Sequence, residues 1–189
     1  MYYQYAPIAS RTGKPRILAL GLGNELLQDD GVGIHALRRF QQVMSHSCLC
    51  VEAGTAILDA LPMLENADRI LVFDAVESNG KPGTVYLLNT TDMMEEWTHP
   101  SMHEMGLLQV LPMLRRTPAE VVIIGAEPHT INWGIGLSPA LDIAVPLMVS
   151  TAQKVVSKWI EFNSDHEKID LASVVQDVNY GMGLGQISG

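Results

Sequence analysis

The sequence predicts an α/β fold: a three-layer sandwich with helices on both faces of a twisted, mostly parallel five-stranded sheet and one antiparallel strand at an edge. Three observations predict it. Apolar runs of strand length alternate with segments of helical periodicity. The 189 residues suit a single domain with a tail and can bury a proper core. Between the third and fourth apolar runs, Glu77-Ser78-Asn79-Gly80-Lys81-Pro82-Gly83 is a turn sequence too short for a crossover helix, which makes the fourth strand antiparallel.

Taken in order, residues 1–15 read as a loose arm, 16–162 as one α/β domain and 163–189 as a mobile tail. The first strand, Arg16–Gly21, is apolar and ends in glycines. Asp29 and Asp30 then stand at the start of a helix over Gly33–Ser45. A strand over Leu49–Ala53 and a helix over Ala56–Leu64 follow. The third strand, Arg69–Ala75, holds the very apolar Ile70-Leu71-Val72-Phe73, and the edge strand is Gly83–Leu88. A helix over His103–Leu114, a strand over Glu120–Gly125 and a helix over Pro139–Phe162 complete the domain. Leu61-Pro62-Met63-Leu64 recurs as Leu111-Pro112-Met113-Leu114; four residues are too few for a repeat, and each proline is expected to bend or end its helix. After Asn163 the acids Asp165, Glu167, Asp170 and Asp177 and a Gly-Met-Gly-Leu-Gly ending define the tail, within which Ile169–Val178 can form a short helix on docking.

Composition excludes several functions. Lys and Arg number 12 against 21 Asp and Glu, a net charge of -9, so nucleic acid lacks the electrostatic attraction it needs. Only Cys48 and Cys50 are present, too few and too close for a disulfide framework, which points to a reducing interior such as the cytoplasm. The first fifteen residues contain tyrosines and polar residues in place of a long apolar core, so no signal peptide is expected. No uncharged apolar run reaches the ~18 residues of a membrane span.

Strand, Gly21-x-Gly23 turn and helix suggest a nucleotide site, with Glu52 for the ribose, but Leu26 replaces the third glycine and two acids would oppose phosphates. A cation fits better. In a parallel sheet, ligands lie outside the carboxyl ends of the strands. Asp30 follows the first strand, Asp74 ends the third and His103 begins a helix, and two carboxylates with an imidazole suit a divalent first-row ion such as zinc, nickel or iron. Each has a plainer reading. Asp29 and Asp30 can cap backbone amides, and a helix-starting His103 can be a surface residue. Asp74 is harder to dismiss, because a carboxylate after four apolar residues must reach solvent or find a partner.

Five ordered blocks strengthen the case. Gly21-x-Gly23-Asn24-x-Leu26-x-x-Asp29-Asp30-Gly31-x-Gly33, Glu52-Ala53-Gly54-Thr55, Phe73-Asp74-Ala75-Val76, Ser101-Met102-His103-Glu104-Met105-Gly106 and Gly125-Ala126-Glu127-Pro128 resemble, over about Arg16 to Trp159, the nickel-iron hydrogenase maturation endopeptidases. The resemblance implies a protease that removes the C-terminal extension of the hydrogenase large-subunit precursor after nickel insertion, as the last step of maturation. It also implies that Asp30, Asp74 and His103 are the catalytic and metal-contacting residues. The family often has Glu where Asp30 stands, and Gln where Glu127 stands.

On that footing the expected metal is nickel carried by the precursor and contacted transiently, with no tightly held ion of the enzyme's own. Two mechanisms stay open: a bridging ion that polarises water or the scissile carbonyl, or Asp30 and Asp74 as an acid/base dyad. No Gly-x-Ser-x-Gly elbow or Ser-His-Asp order points to a serine nucleophile. The rivals are a dinucleotide-binding enzyme and a non-catalytic nickel-sensing chaperone. The chain is expected to act as a cytoplasmic monomer without nucleic acid or membrane insertion.

Other residues carry less. Cys48 and Cys50, two apart and on one face, read as core packing. His35 lies in the first helix and His46 near its end, while His99, His129 and His166 fall in loops or the tail. His129 and Thr55 are candidate substrate contacts. Met93, Met94, Met102 and Met105 flank the expected cleft as an adaptable apolar surface.

Overall fold

A computed structural model describes residues 15–89, 107, 109–115, 118, 120–161 and 169–175. Five strands form one sheet: β1 (Ile17–Leu22), β2 (Leu49–Gly54), β3 (Arg69–Ala75), β4 (Val85–Asn89) and β5 (Glu120–Ala126), in the order β2-β1-β3-β5-β4. All pairings are parallel except β4 with β5, which is antiparallel at an edge, as the short 76–84 connection requires. The three central strands are buried at every position because helices cover both faces.

Alternation along the strands sorts the core into two layers. Ile17, Ala19, Leu71, Phe73, Val122 and Ile124 pack on one face with α1 (Val32–Met44) and α3 (Pro139–Glu161). Leu18, Leu20, Ile70, Val72, Val121 and Ile123 pack on the other with α2 (Leu61–Leu64), Leu107 and Val110. The continuous helix expected over Ala56–Leu64 is instead a 3-10 turn, Ile57–Ala60, running into the single turn of α2. Pro62 sits in the first turn of α2, where its missing N–H costs nothing, so it starts the helix rather than ending it. Leu111–Met113, with Pro112, is likewise a 3-10 turn. Pro146 lies inside α3, whose 23 residues are held by packing against both α1 and the sheet.

Within the segment read as a tail, α4 (Leu171–Val175) is present, with Val174 buried and the Ile169 N–H donating to Glu120 at 3.2 Å. Beneath it, at the amino end of the sheet, Glu120 accepts from Arg69 at 2.8 Å and from Trp159 Nε1 at 2.7 Å, and Arg69 stacks over the Trp159 ring. The paired start of β3 and β5 brings these charges together at the far end from the loops of interest.

Gly33 sets how closely α1 approaches the sheet. A Cβ there would lie 2.3 Å from the Phe73 carbonyl oxygen and 2.4 Å from that of Leu22, both backbone. Gly33→Ala is therefore expected to destabilise the fold at or above the upper end of the ~1–3 kcal/mol typical of overpacking. Chemical denaturation measures it, and an unchanged midpoint would refute the close approach.

Candidate active site

The carboxyl end of β1 builds the first half of the site. Gly23 has φ +108, and a Cβ there would fall 1.8 Å from the Asp30 carbonyl oxygen, so only glycine lets the chain turn back on itself. Asn24 then closes an Asx turn, its Oδ1 accepting from Leu26 N at 3.0 Å. A 3-10 turn, Gln28–Gly31, precedes α1, so the two adjacent acids lie just ahead of the helix and not in its first turn.

Those acids diverge. Asp29, fully buried, turns into the protein and accepts three backbone amides from the loop between β5 and α3: His129 at 2.9 Å, Thr130 at 3.1 Å and Ser138 at 2.6 Å. Asp29 thus binds backbone amides, but not as the local cap expected: neither the 3-10 turn nor α1 has a side-chain cap, and the amides it holds lie about a hundred residues away. Asp30 stays with its own turn, its Oδ2 accepting from Asn24 N at 2.7 Å, and is 6% exposed.

Asp74 is the penultimate residue of β3 and fully buried. Its Oδ1 accepts from Ala75 N at 2.9 Å, and alternation places it on the face of Ile70, Val72 and Leu107. The turn that carries Asp30 contacts β3, and β1 pairs with β3 up to Gly21 opposite Phe73, so Asp30 and Asp74 belong to one rim of the sheet. His103 lies outside the described residues, as do His99, His166, Met93, Met94, Met102 and Met105. Among the described residues no three His, Cys, Asp or Glu side chains converge as a metal-holding group.

The hydrogenase maturation protease family model (HycI) matches residues 34–155. The chain belongs to this family. Among its relatives, the hydrogenase expression/formation protein HupD of Bradyrhizobium diazoefficiens is 31% identical over 153 residues, covering 76% of this chain and 79% of its own. The hydrogenase 2 maturation protease of Escherichia coli is 31% identical over 137 residues, or 69% of this chain and 84% of its own. Solved structures agree. The Escherichia coli maturating endopeptidase HybD superposes with TM-score 0.68 at 26% identity over 76% of this chain and 93% of its own. The maturation protease HybD of Thermococcus kodakarensis does so with TM-score 0.64 at 30% identity over 75% and 99%.

A hydrogenase maturation protease is a peptidase, and the rest of the rim fits that better than nucleotide binding. Glu52, the candidate ribose ligand, is engaged by Arg38 at 2.9 and 2.7 Å, and Arg38 also holds Glu25 at 2.6 and 2.9 Å. The hydrogen bond from Arg38 keeps the Glu52 carboxyl below its ordinary range, and the two carboxylates push the guanidinium up. Thr55 is exposed just past β2, and His129 is exposed with its backbone N–H fixed by Asp29. Glu127, directly after β5, is buried and accepts from Tyr86 OH at 2.6 Å and Ser78 N at 2.9 Å, which ties down the β3–β4 connection. Burial, reinforced by that carboxylate, pushes the Tyr86 hydroxyl pKa up.

The cysteines are both free and half-buried against the α1 and α3 layer, in keeping with packing. A thiol–thiol hydrogen bond raises the pKa of Cys48 and lowers that of Cys50. His35 approaches Glu25 at 3.6 Å, and His46 is exposed beyond α1.

Proposed function

We propose that this protease removes the C-terminal extension of a nickel-iron hydrogenase large-subunit precursor, and that nickel carried by the precursor is read by Asp30, Asp74 and His103. The observation that carries the reading is that two enclosed carboxylates, Asp30 and Asp74, stand at the carboxyl ends of the neighbouring strands β1 and β3.

In this reading the ion is a feature of the substrate. Two carboxylates and an imidazole leave coordination positions open for the precursor and for the reacting oxygen. The ion then draws electron density from water or from the scissile carbonyl, and water adds across the peptide bond. Processing is thereby confined to precursors that already hold nickel.

We further read residues 16–162 as the protease domain, flanked by the 1–15 arm and the 163–189 tail, and the enzyme as a cytoplasmic monomer. Both cysteines are free, and among the described residues no helix is long and apolar enough to cross a membrane.

The test is to incubate the purified chain with nickel-loaded and nickel-free precursor and follow precursor mass. Loss of the extension only from the nickel-loaded form is the expected result. Equal trimming of both forms transfers the chemistry to an Asp30–Asp74 acid/base dyad, and trimming of neither overturns the proteolytic reading.

A further inference from the structure

The loop between β5 and α3 presents an apolar surface that the fold leaves uncovered. Trp133 is 81% exposed and Ile135 87%, alongside Ile131 and, on the neighbouring turn, Leu26. Exposed apolar side chains grouped on one loop mark interaction sites more often than scattered ones do. Here the backbone beneath the patch is also tied down. Gly134, between Trp133 and Ile135, donates to the Leu26 carbonyl at 2.9 Å and accepts from Gln28 N at 3.1 Å, while Asp29 N donates to the Thr130 carbonyl at 3.3 Å. The Asp29 carboxylate fixes both ends of the loop through His129, Thr130 and Ser138.

Two consequences follow from that attachment. A tryptophan held on a fixed backbone loses little freedom when it is covered, and such anchors dominate binding energy. The fastening residues Leu26, Gln28 and Asp29 immediately precede Asp30, so a segment seated on Trp133 and Ile135 is held beside the reacting rim. The nearby exposed charges Glu25, Arg38 and Glu52 are joined to one another. Among the described residues, apolar contact is therefore a principal recognition chemistry of this side of the rim, beside the exposed His129 and Asn132.

We propose that Trp133 and Ile135 form the docking surface for apolar side chains of the large-subunit precursor next to the scissile bond. This rests on the proteolytic reading above and adds which surface holds the peptide to the enzyme.

The full-length double variant Trp133→Ala/Ile135→Ala tests it with nickel-loaded precursor, by measuring kcat and KM for release of the extension and, in an Asp74→Asn background, precursor binding. We expect KM and the dissociation constant to rise by about tenfold or more, as for loss of an aromatic anchor. Meanwhile kcat stays within about twofold, because only uniform binding is removed. The thermal midpoint is expected to hold, because both side chains face solvent. Unchanged KM while the wild type cleaves normally overturns the docking surface alone. So does a wild-type dimer that the variant dissolves without moving KM, which would assign the patch to a second copy of the chain. Failure of the wild type to cut the precursor overturns the proteolytic reading, and the docking proposal with it.

Discussion

Asp74→Asn is expected to lower kcat/KM for precursor cleavage by about a thousandfold or more, the scale of removing a principal catalytic group, while leaving the fold intact. The amide matches the carboxylate in shape, and its oxygen can still accept from Ala75 N, which Asp74 Oδ1 now does at 2.9 Å. Burying a neutral amide also avoids the desolvation penalty of a carboxylate with no exposed surface. Stability is thus expected to be equal to or above that of the wild type. What the variant loses is negative charge, which both a bridging ion and an acid/base dyad require. Chemical denaturation and precursor mass spectrometry on the same preparation decide it. Near-normal cleavage by a folded Asp74→Asn variant would remove Asp74 from the chemistry altogether.

Much of this was legible in the sequence, for physical reasons that differ between elements. The central strands were plain because a strand covered on both faces must be apolar at successive positions, as Ile70 to Phe73 are. The antiparallel edge strand was legible from chain length alone, since seven residues cannot span a crossover. The Ala56–Leu64 segment was misread as one helix because an apolar period does not distinguish a 3-10 turn from an α-helix, and Pro62 suits a helix start better than an end.

At the site, Asp30 and Asp74 could be picked out because each stands at or just past the carboxyl end of a strand, where ligands gather. The division of labour between Asp29 and Asp30 could not. It depends on amides of residues 129, 130 and 138, and nothing local to the Asp-Asp pair encodes which carboxylate turns inward to meet them. The Arg69–Glu120–Trp159 group was hidden for the same reason, although a charged residue opening each of two apolar strands was a usable signal. The exposure of Trp133 was not legible, because exposure is a tertiary property.

Asp29→Ala is expected to be strongly destabilising, at about 2–4 kcal/mol, because it strands three partly buried N–H donors, each costing up to ~1–3 kcal/mol and less than additively. The same carboxylate organises two segments distant in sequence, the Gln28–Gly31 turn and the 129–138 loop, so its removal releases both together. Asp29→Asn is expected to rescue little. One oxygen of the amide can accept from Ser138, but its NH2 group then faces the N–H groups of His129 and Thr130, donor against donor. Asp30→Asn is the contrasting variant, because its amide oxygen can still accept from Asn24 N. Denaturant midpoints order the three variants, and hydrogen exchange at residues 129, 130 and 138 shows whether the loop has come loose. Slow exchange there in Asp29→Ala, together with a wild-type midpoint, would show that the loop is held by other contacts. If instead the loop loosens at temperatures where the domain stays folded, KM for the precursor should rise with it, since the exposed Trp133 rides on the segment that Asp29 fastens.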